Sequence, residues 1–547
     1  MPDKSEYVKD GSVDLLRSQP SASSARIQIP DSIAHPIIYV RGYAMTEREQ
    51  DEAAVDPFCG FNVGSTIYRA SPNKKDPAKK FIFESPIIRL AVDYGYSDVY
   101  EEGLDILDAD WQGTIPRRSI VIHRYYDQAS GLLGSGTTPP ITEFAKGLNQ
   151  LILRVRDLVC AHRDSNISPQ EFRCYLVAHS MGGLICRAFL QNPILGDKEA
   201  RQCVDKVFTY ATPHNGIDMA GLNVPRWLGV AEMNTFNLKN MAKYLNLATF
   251  YKKSKRVDGL PERSFPSSRF FCMIGTNRAD YEAAMGLSRA FSGHGSDGLV
   301  KIDNASVSGV DAKGNTTAPC ATAYAYRSHS GFFGIVNSEE GYQNLTRFLF
   351  GDVRIDIWVD VETVRLPPEI KDKPVNALYL FELLTSPRGK RWYLSRRIAE
   401  EDSVACRSHQ RLVDVPDKNA RTIYLSSVFL AKFARVKSTR PSLAYDLTLG
   451  VRVPDYEIER KFWPEGHFEG AYLFRNTMIV ELTPPQQKGE EWRASFDWQS
   501  ENPGRASKPL STRKLTRGHI EMTVPFNSNG SPGIEGQLRF AVSAWNS

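Results

Sequence analysis

The sequence predicts an α/β domain on a mostly parallel sheet, followed by a second, all-β domain of sandwich type. Three observations predict this. Short apolar runs without clean alternation recur between residues 37 and 274, as strands buried on both faces require. Between them lie stretches with apolar residues three and four apart, the spacing of a helix with one buried face. After Gly351 the texture changes to alternating apolar and polar residues separated by turn-rich spacers.

Residues 1–33 read as a polar lead-in, and the α/β domain is placed at 34–351. Its expected strands are Ile37–Val40, Ser119–Ile122, Arg173–Ala178, Val204–Tyr210 and Phe270–Ile274. From Ile141 to Arg163 the residues Ile141, Phe144, Leu148, Leu151, Ile152, Val155, Leu158 and Val159 make one apolar stripe, so a helix is expected there. A second helix is expected over Met181–Leu190, stopped by Asn192-Pro193. Two insertions interrupt the pattern, at 46–118 and 217–266. The first carries Tyr94, Tyr96 and Tyr100, which suit a pocket wall or the core equally. The second has a helical spacing over Met233, Phe236, Met241, Tyr244, Leu245 and Leu247. The β domain is placed at 352–547, with strands in Val353–Val364, Ala377–Leu384, Thr422–Phe429, Ala444–Val453, Thr477–Leu482 and Ile520–Phe526.

With 547 residues, 41% hydrophobic and 24% charged, the chain has the balance of a globular protein. A net charge of +5, with no dense Lys/Arg block, argues against nucleic acid as a partner. A mildly basic surface is compatible with peripheral contact with anionic lipid. The eight cysteines are scattered, with no C-x-x-C pair, which favours free thiols and a reducing compartment. Residues 1–30 have no apolar leader and no run of 18 apolar residues occurs, so the expected location is the cytoplasm, or outside it by a route without a cleaved signal. No metal constellation and no phosphate-binding loop is evident, so no cofactor is expected.

The chemistry centres on Ala178-His179-Ser180-Met181-Gly182-Gly183. This segment follows an expected buried strand and opens an expected helix, the setting in which G-x-S-x-G presents a serine above a sheet. The residues two before and two after the serine must be small. Gly182 fits, and Ala178 departs by one methyl. A serine hydroxyl needs a base to take its proton and an acid to orient that base, in the chain order Ser, Asp or Glu, His. His329, in a loop after the last core strand, is the expected base, and Ser338 and Gly351 would bound the helix that follows. Asp297, in Gly295-Ser296-Asp297-Gly298, is the first choice of acid, with Asp280 and Asp303 as alternatives. Two N–H donors must face the developing oxyanion. They are assigned to Met181 and to Tyr43, in the turn Arg41-Gly42-Tyr43.

These residues resemble the lipase branch of the α/β-hydrolases over residues 35–350. Residues 178–183 look like the elbow of bacterial triacylglycerol lipases. Ala211-Thr212-Pro213-His214-Asn215-Gly216 resembles the T-P-H-x-G segment of lipases, lecithin–cholesterol acyltransferases and glycosylphosphatidylinositol inositol-deacylases, and Ser296-Asp297-Gly298-Leu299-Val300 is similar to their acid loop. Arg41-Gly42 departs from the His-Gly of many lipases. The resemblance implies an α/β-hydrolase fold, catalysis by Ser180, Asp297 and His329, and a lipid or other acyl-ester substrate. With it the 217–266 insertion fits a lid or cap, whose Met219, Leu222 and Trp227 suit an acyl pocket or the cap's own core. A lipid acyltransferase, or a secreted bacterial phospholipase effector, fits the same residues. A non-catalytic binding protein on this scaffold would have no need of an ordered triad. Residues 352–547 resemble no named family.

Overall fold

The computed structural model describes residues 26–42, 67–69, 79–81, 86–99, 113–123, 139–217, 235–278, 295–330, 334–413, 415, 418–435, 440–458, 466–485, 490, 492–501, 503–504, 506–516 and 519–546. Seven strands make the first large sheet: β1 (Ile37–Val40), β2 (Ser97–Asp98), β3 (Ser119–Ile122), β4 (Cys174–His179), β5 (Val204–Tyr210), β6 (Phe270–Gly275) and β7 (Ala321–Ala325). Their order across the sheet is β7-β6-β5-β4-β1-β3-β2, and every neighbouring pair is parallel. Five of the seven lie in the apolar runs of the sequence. The other two carry little apolar signal: β2 is a dipeptide, and β7 is Ala-Thr-Ala-Tyr-Ala. The winding reverses at β1, which lies between β3 and β4. The carboxyl ends of β1 and β4 therefore lie at a topological switch point, where open α/β sheets place their ligands.

The principal helices described around this sheet are α1 (Pro86–Tyr94), α2 (Ile141–Ala161), α3 (Met181–Gln191), α4 (Leu238–Tyr244), α5 (Ala248–Ser254) and α6 (Glu339–Phe350), with a shorter one at Lys198–Gln202. Alternate strand residues point to opposite faces, and the core divides accordingly. Ile38 and Val40 face α2 and α3, whereas Ile37 and Tyr39 face the side packed by α1 and α6. The eight apolar residues of the α2 stripe are all buried. Ser338 caps α6, its hydroxyl accepting from the Gly341 N–H at 2.9 Å.

Both insertions contribute to the core where they are described. Tyr94 and Tyr96 are buried, and the Tyr96 hydroxyl donates to the His35 carbonyl at 2.8 Å. Tyr100 lies outside the described residues. From the second insertion, Met241, Leu245 and Leu247 pack on the α2–α3 side. Met219, Leu222 and Trp227 lie outside the described residues.

Beyond Gly351 two antiparallel sheets enclose a separate core. Their principal strands are β8 (Val353–Arg365), β9 (Val375–Pro387), β10 (Ser395–Arg397), β11 (Thr422–Leu430), β12 (Leu443–Arg452), β13 (Tyr472–Thr483), β14 (Ser511–Thr516), β15 (His519–Asn527) and β16 (Gly533–Ala544). One sheet has the order β11-β8-β16-β15-β14, and the other is built on β9, β12 and β13 with shorter strands at its margins. Ile355, Phe381, Leu447 and Phe540 are among the residues that meet between them. The sequence pattern missed β16. Gly536 replaces an apolar residue on its inner face because a side chain there would meet the Asp360 carbonyl 2.4 Å away.

The two parts share a packed border. Phe429 of β11 lies 5.2 Å from Phe348 and 5.7 Å from Phe271, ring centre to ring centre. The Trp545 indole N–H donates to the Phe348 carbonyl at 2.7 Å. β7 is the edge of the parallel sheet, and the β domain covers it. The Thr322 N–H donates to the Tyr424 hydroxyl at 3.0 Å, and the Ser426 hydroxyl donates to the Thr322 carbonyl at 2.8 Å. An edge covered in this way offers no free backbone to another chain. Seven cysteines are described and all are free thiols. Among the described residues no helix is long and apolar enough to cross a membrane.

Candidate active site

Ser180 stands between β4 and α3 with φ 51° and ψ −127°. A non-glycine residue at positive φ costs about 1–3 kcal/mol and persists only where its surroundings enforce it. Here they do. The Ser180 N–H donates to the Tyr210 carbonyl at 2.9 Å, holding the turn to the end of β5. Gly182 passes so near β1 that a Cβ would sit 2.1 Å from the Val40 carbonyl oxygen. Gly183 passes Thr212 as closely, with 2.2 Å from such a Cβ to the hydroxyl oxygen. On the near side, a Cβ on Gly42 would lie 2.4 Å from the Ser180 Cβ. The end of β1 therefore abuts the serine. Tyr43 itself, the expected second oxyanion donor, lies outside the described residues. Met181 opens α3, where the first backbone N–H groups have no intrahelical partner and the helix dipole is positive.

The structure brings Ser180, His329 and Asp297 together. The Ser180 hydroxyl oxygen lies 2.9 Å from His329 Nε2, and His329 Nδ1 lies 2.9 Å from Asp297 Oδ2. A carboxylate only accepts, so Nδ1 carries the ring proton and Nε2 is free to accept from the serine. Asp297 is 1% exposed and His329 3%. The second carboxylate oxygen of Asp297 accepts from the N–H groups of Leu299 at 3.0 Å and Val300 at 2.7 Å. The backbone repeats the pairing, with the His329 N–H donating to the Asp297 carbonyl at 3.0 Å. Gly275, at the end of β6, admits the acid loop: a Cβ there would meet the Asp297 Cβ at 2.8 Å. Of the alternatives, Asp303 is exposed, with its carbonyl accepting from Arg256, and Asp280 lies outside the described residues.

Two further features were not legible in the sequence. His179, beside the serine, donates its Nε2–H to the His329 carbonyl at 2.8 Å, with the two rings 5.0 Å apart centre to centre. Burial, with the nearby His329 ring second, holds its pKa down to about 3, so it is a neutral donor that fixes the His329 loop. The Thr212–Gly216 segment is a junction. Arg187 of α3, fully buried, donates to the carbonyls of His214 at 2.9 Å and of Val257 and Gly259 at 2.7 Å each. Asn215 bonds Asn304 beyond the acid loop at 3.0 Å through both backbone and side chain. His214 is wholly buried, its Nε2 3.1 Å from the Thr209 hydroxyl, and burial depresses its pKa well below the ordinary value. Only the family-like spelling of Thr-Pro-His-Asn-Gly hinted at this role.

The arrangement suits proton transfer from a serine hydroxyl to a neutral imidazole, which becomes an imidazolium stabilised by the carboxylate. Among the described residues no group of three His, Cys, Asp or Glu side chains could hold a metal ion.

No family model matches the chain, and no curated protein does. Among solved structures, the mature form of Bacillus licheniformis lipase BlEst2 aligns with 59% of this chain and 95% of its own, at 13% identity and a TM-score of 0.30. The propeptide form of that lipase aligns with 85% of this chain and 97% of its own, again at 13% identity, with a TM-score of 0.28. Overlap that slight bears neither on the fold nor on the chemistry, both of which rest on the residues and distances of the chain itself.

Proposed function

We propose that the chain is a serine-dependent hydrolase of acyl esters, with Ser180 as nucleophile, His329 as general base and Asp297 as the acid that orients it. The observation that carries this reading is the unbroken line of contacts at 2.9 Å from Ser180 to His329 to Asp297, on a serine held at positive φ. In this mechanism His329 Nε2 takes the hydroxyl proton as Ser180 attacks the ester carbonyl. The Met181 and Tyr43 N–H groups receive the oxyanion, and His329 returns the proton to the leaving alcohol. Water, activated by the same imidazole, then releases the acyl group. No cofactor takes part. The substrate class is read from the lipase-like segments at 178–183, 211–216 and 296–300: a glyceride or phospholipid, met at a membrane or micelle surface, with Met219, Leu222 and Trp227 beside its acyl chain.

A fluorophosphonate probe tests the chemistry. It should label the wild type and leave Ser180→Ala unlabelled, and an unlabelled, folded wild type would overturn the proposal. Mass spectrometry of products from mixed lipids should then show which ester bond is cut. Transesterified product on adding an acceptor alcohol would move the reading from hydrolysis to acyl transfer.

A further inference from the structure

The β domain does more than cover the edge of the sheet. Its segment from Ser395 to Ser403 lies against the strands that carry the acid loop. That segment is stiff. β10 pairs with β9, placing Arg397 opposite Leu383. Beyond it a short helical turn, Ala399–Glu401, is closed by Asp402 at φ 51° and by Ser403. The Ser403 hydroxyl oxygen accepts from the Ile398 N–H at 2.9 Å, and the Ser403 carbonyl accepts from Arg397 Nε at 2.7 Å.

Two of the contacts from this platform lead toward Asp297. Glu401, 7% exposed, accepts from the Thr276 hydroxyl at 3.0 Å through one oxygen and from Arg396 Nε at 2.6 Å through the other. Thr276 follows Gly275, the residue against which Asp297 rests. The Arg397 guanidinium lies 4.2 Å from the centre of the Tyr324 ring, and Tyr324 packs with Ile274, Val300 and Ile302 beneath the acid loop. Val300 supplies the N–H that holds Asp297 at 2.7 Å. Burial pushes the Glu401 carboxyl above its usual range, so a carboxyl there is costly to bury. A surface brace has no need of one.

We propose that Glu401 is a positioning residue for the reaction, reaching across the domain border through Thr276 to hold Asp297 in line with His329. The β domain thereby completes the active site. This rests on the triad assignment made above. On that basis the contact acts on the chemical step and not on substrate capture, since its hydrogen bonds run to Thr276 and Arg396 and, through Gly275, to Asp297.

The experiment measures kcat and KM on a short, soluble p-nitrophenyl ester with the full chain, alongside a thermal melt. Glu401→Ala should lower kcat by about 10- to 100-fold with KM unchanged. Glu401→Gln, which keeps an acceptor for Thr276, should recover most of that loss. Thr276→Val breaks the same contact from the other side while keeping its shape, removing with it the hydroxyl's 3.2 Å contact to the Ala325 carbonyl, and should lose at least as much kcat as Glu401→Ala. In the double variant the two losses should not multiply. If Glu401→Ala fails to fold, Thr276→Val decides. A folded variant with wild-type kcat, a change confined to KM, or losses that multiply would each overturn the proposal. Fluorophosphonate labelling of the wild type separates this from an error in the triad: an unlabelled wild type rejects Ser180, while a labelled wild type with unaffected variants rejects Glu401 alone.

Discussion

Each residue of the Ser180–His329–Asp297 line is fixed by more than one neighbour, so its removal has a distinct signature. Asp297→Asn keeps the size and the N–H acceptor of the side chain. It presents an amide to His329 Nδ1 and favours the wrong ring tautomer. It should lower kcat by about 10⁴-fold while circular dichroism and the melting temperature stay close to wild type. The sequence was most informative at this scale. Ser180 announced itself because the elbow demands small residues at fixed offsets, and His329 because few histidines follow it in the α/β domain. Asp297 was less distinct, because an aspartate in a glycine-rich turn is ordinary on structural grounds alone. What marks it is three-dimensional: two N–H donors on one oxygen and His329 on the other. The role of His179 was hidden for the same reason, since its partner is a carbonyl 150 positions away.

Among the elements, α3 deserves its burial. All eleven of its residues are buried, including the charged Arg187, whose burial lowers its pKa to about 10. Arg187 joins the nucleophile helix to the Thr212–Gly216 segment and to the strand at Gly259–Pro261. Replacing it by leucine takes the Arg187 donor from the His214 and Val257 carbonyls and from the Gln191 side-chain oxygen, and leaves the Gly259 carbonyl to Gln191 Nε2 alone, each unmet group costing about 1–3 kcal/mol. Arg187→Leu should therefore lose about 3–5 kcal/mol in urea unfolding, more than a surface arginine would. Periodicity read the long elements well: α2 ends within two residues of its expected limit, and the β1, β3 and β5 runs match their strands. It failed where a strand is short or its residues small, as in β2 and β7, because alternation needs large apolar side chains to be visible; in β16 the alternation of Ile534, Leu538, Phe540 and Val542 is present but broken at Gly536.

For the whole molecule, three histidines with depressed pKa contribute to the response to acid. His35 and His179 are held down to about 3 by burial, and His214 well below the ordinary value. Unfolded, each takes up a proton near pH 6.5, which the folded chain refuses until far lower pH. Between those limits the unfolded state binds more protons, so stability is full above pH 6.5 and falls as the pH drops towards 3. The slope is about 1.4 kcal/mol per pH unit for each histidine. Thermal melts at steps from pH 7 to pH 4 should show the fall, and a His35→Phe variant should show a shallower one. The border with the β domain makes a second prediction at this scale. Phe271 and Phe348 rest on Phe429 and Trp545, so a chain ending at Gly351 exposes that face and the edge of β7. It should aggregate or melt far below the full-length protein, where a detachable module would leave it folded. The place of β16 in its sheet carries this further. It lies between β8 and β15, pairs with β8 along nearly its whole length, and leads directly into Trp545. During synthesis the nucleophile turn leaves the ribosome more than three hundred residues before that strand does. The border cannot close until β16 has emerged, so a nascent chain carries the Ser180 turn without the packing of the β domain until that strand has been made.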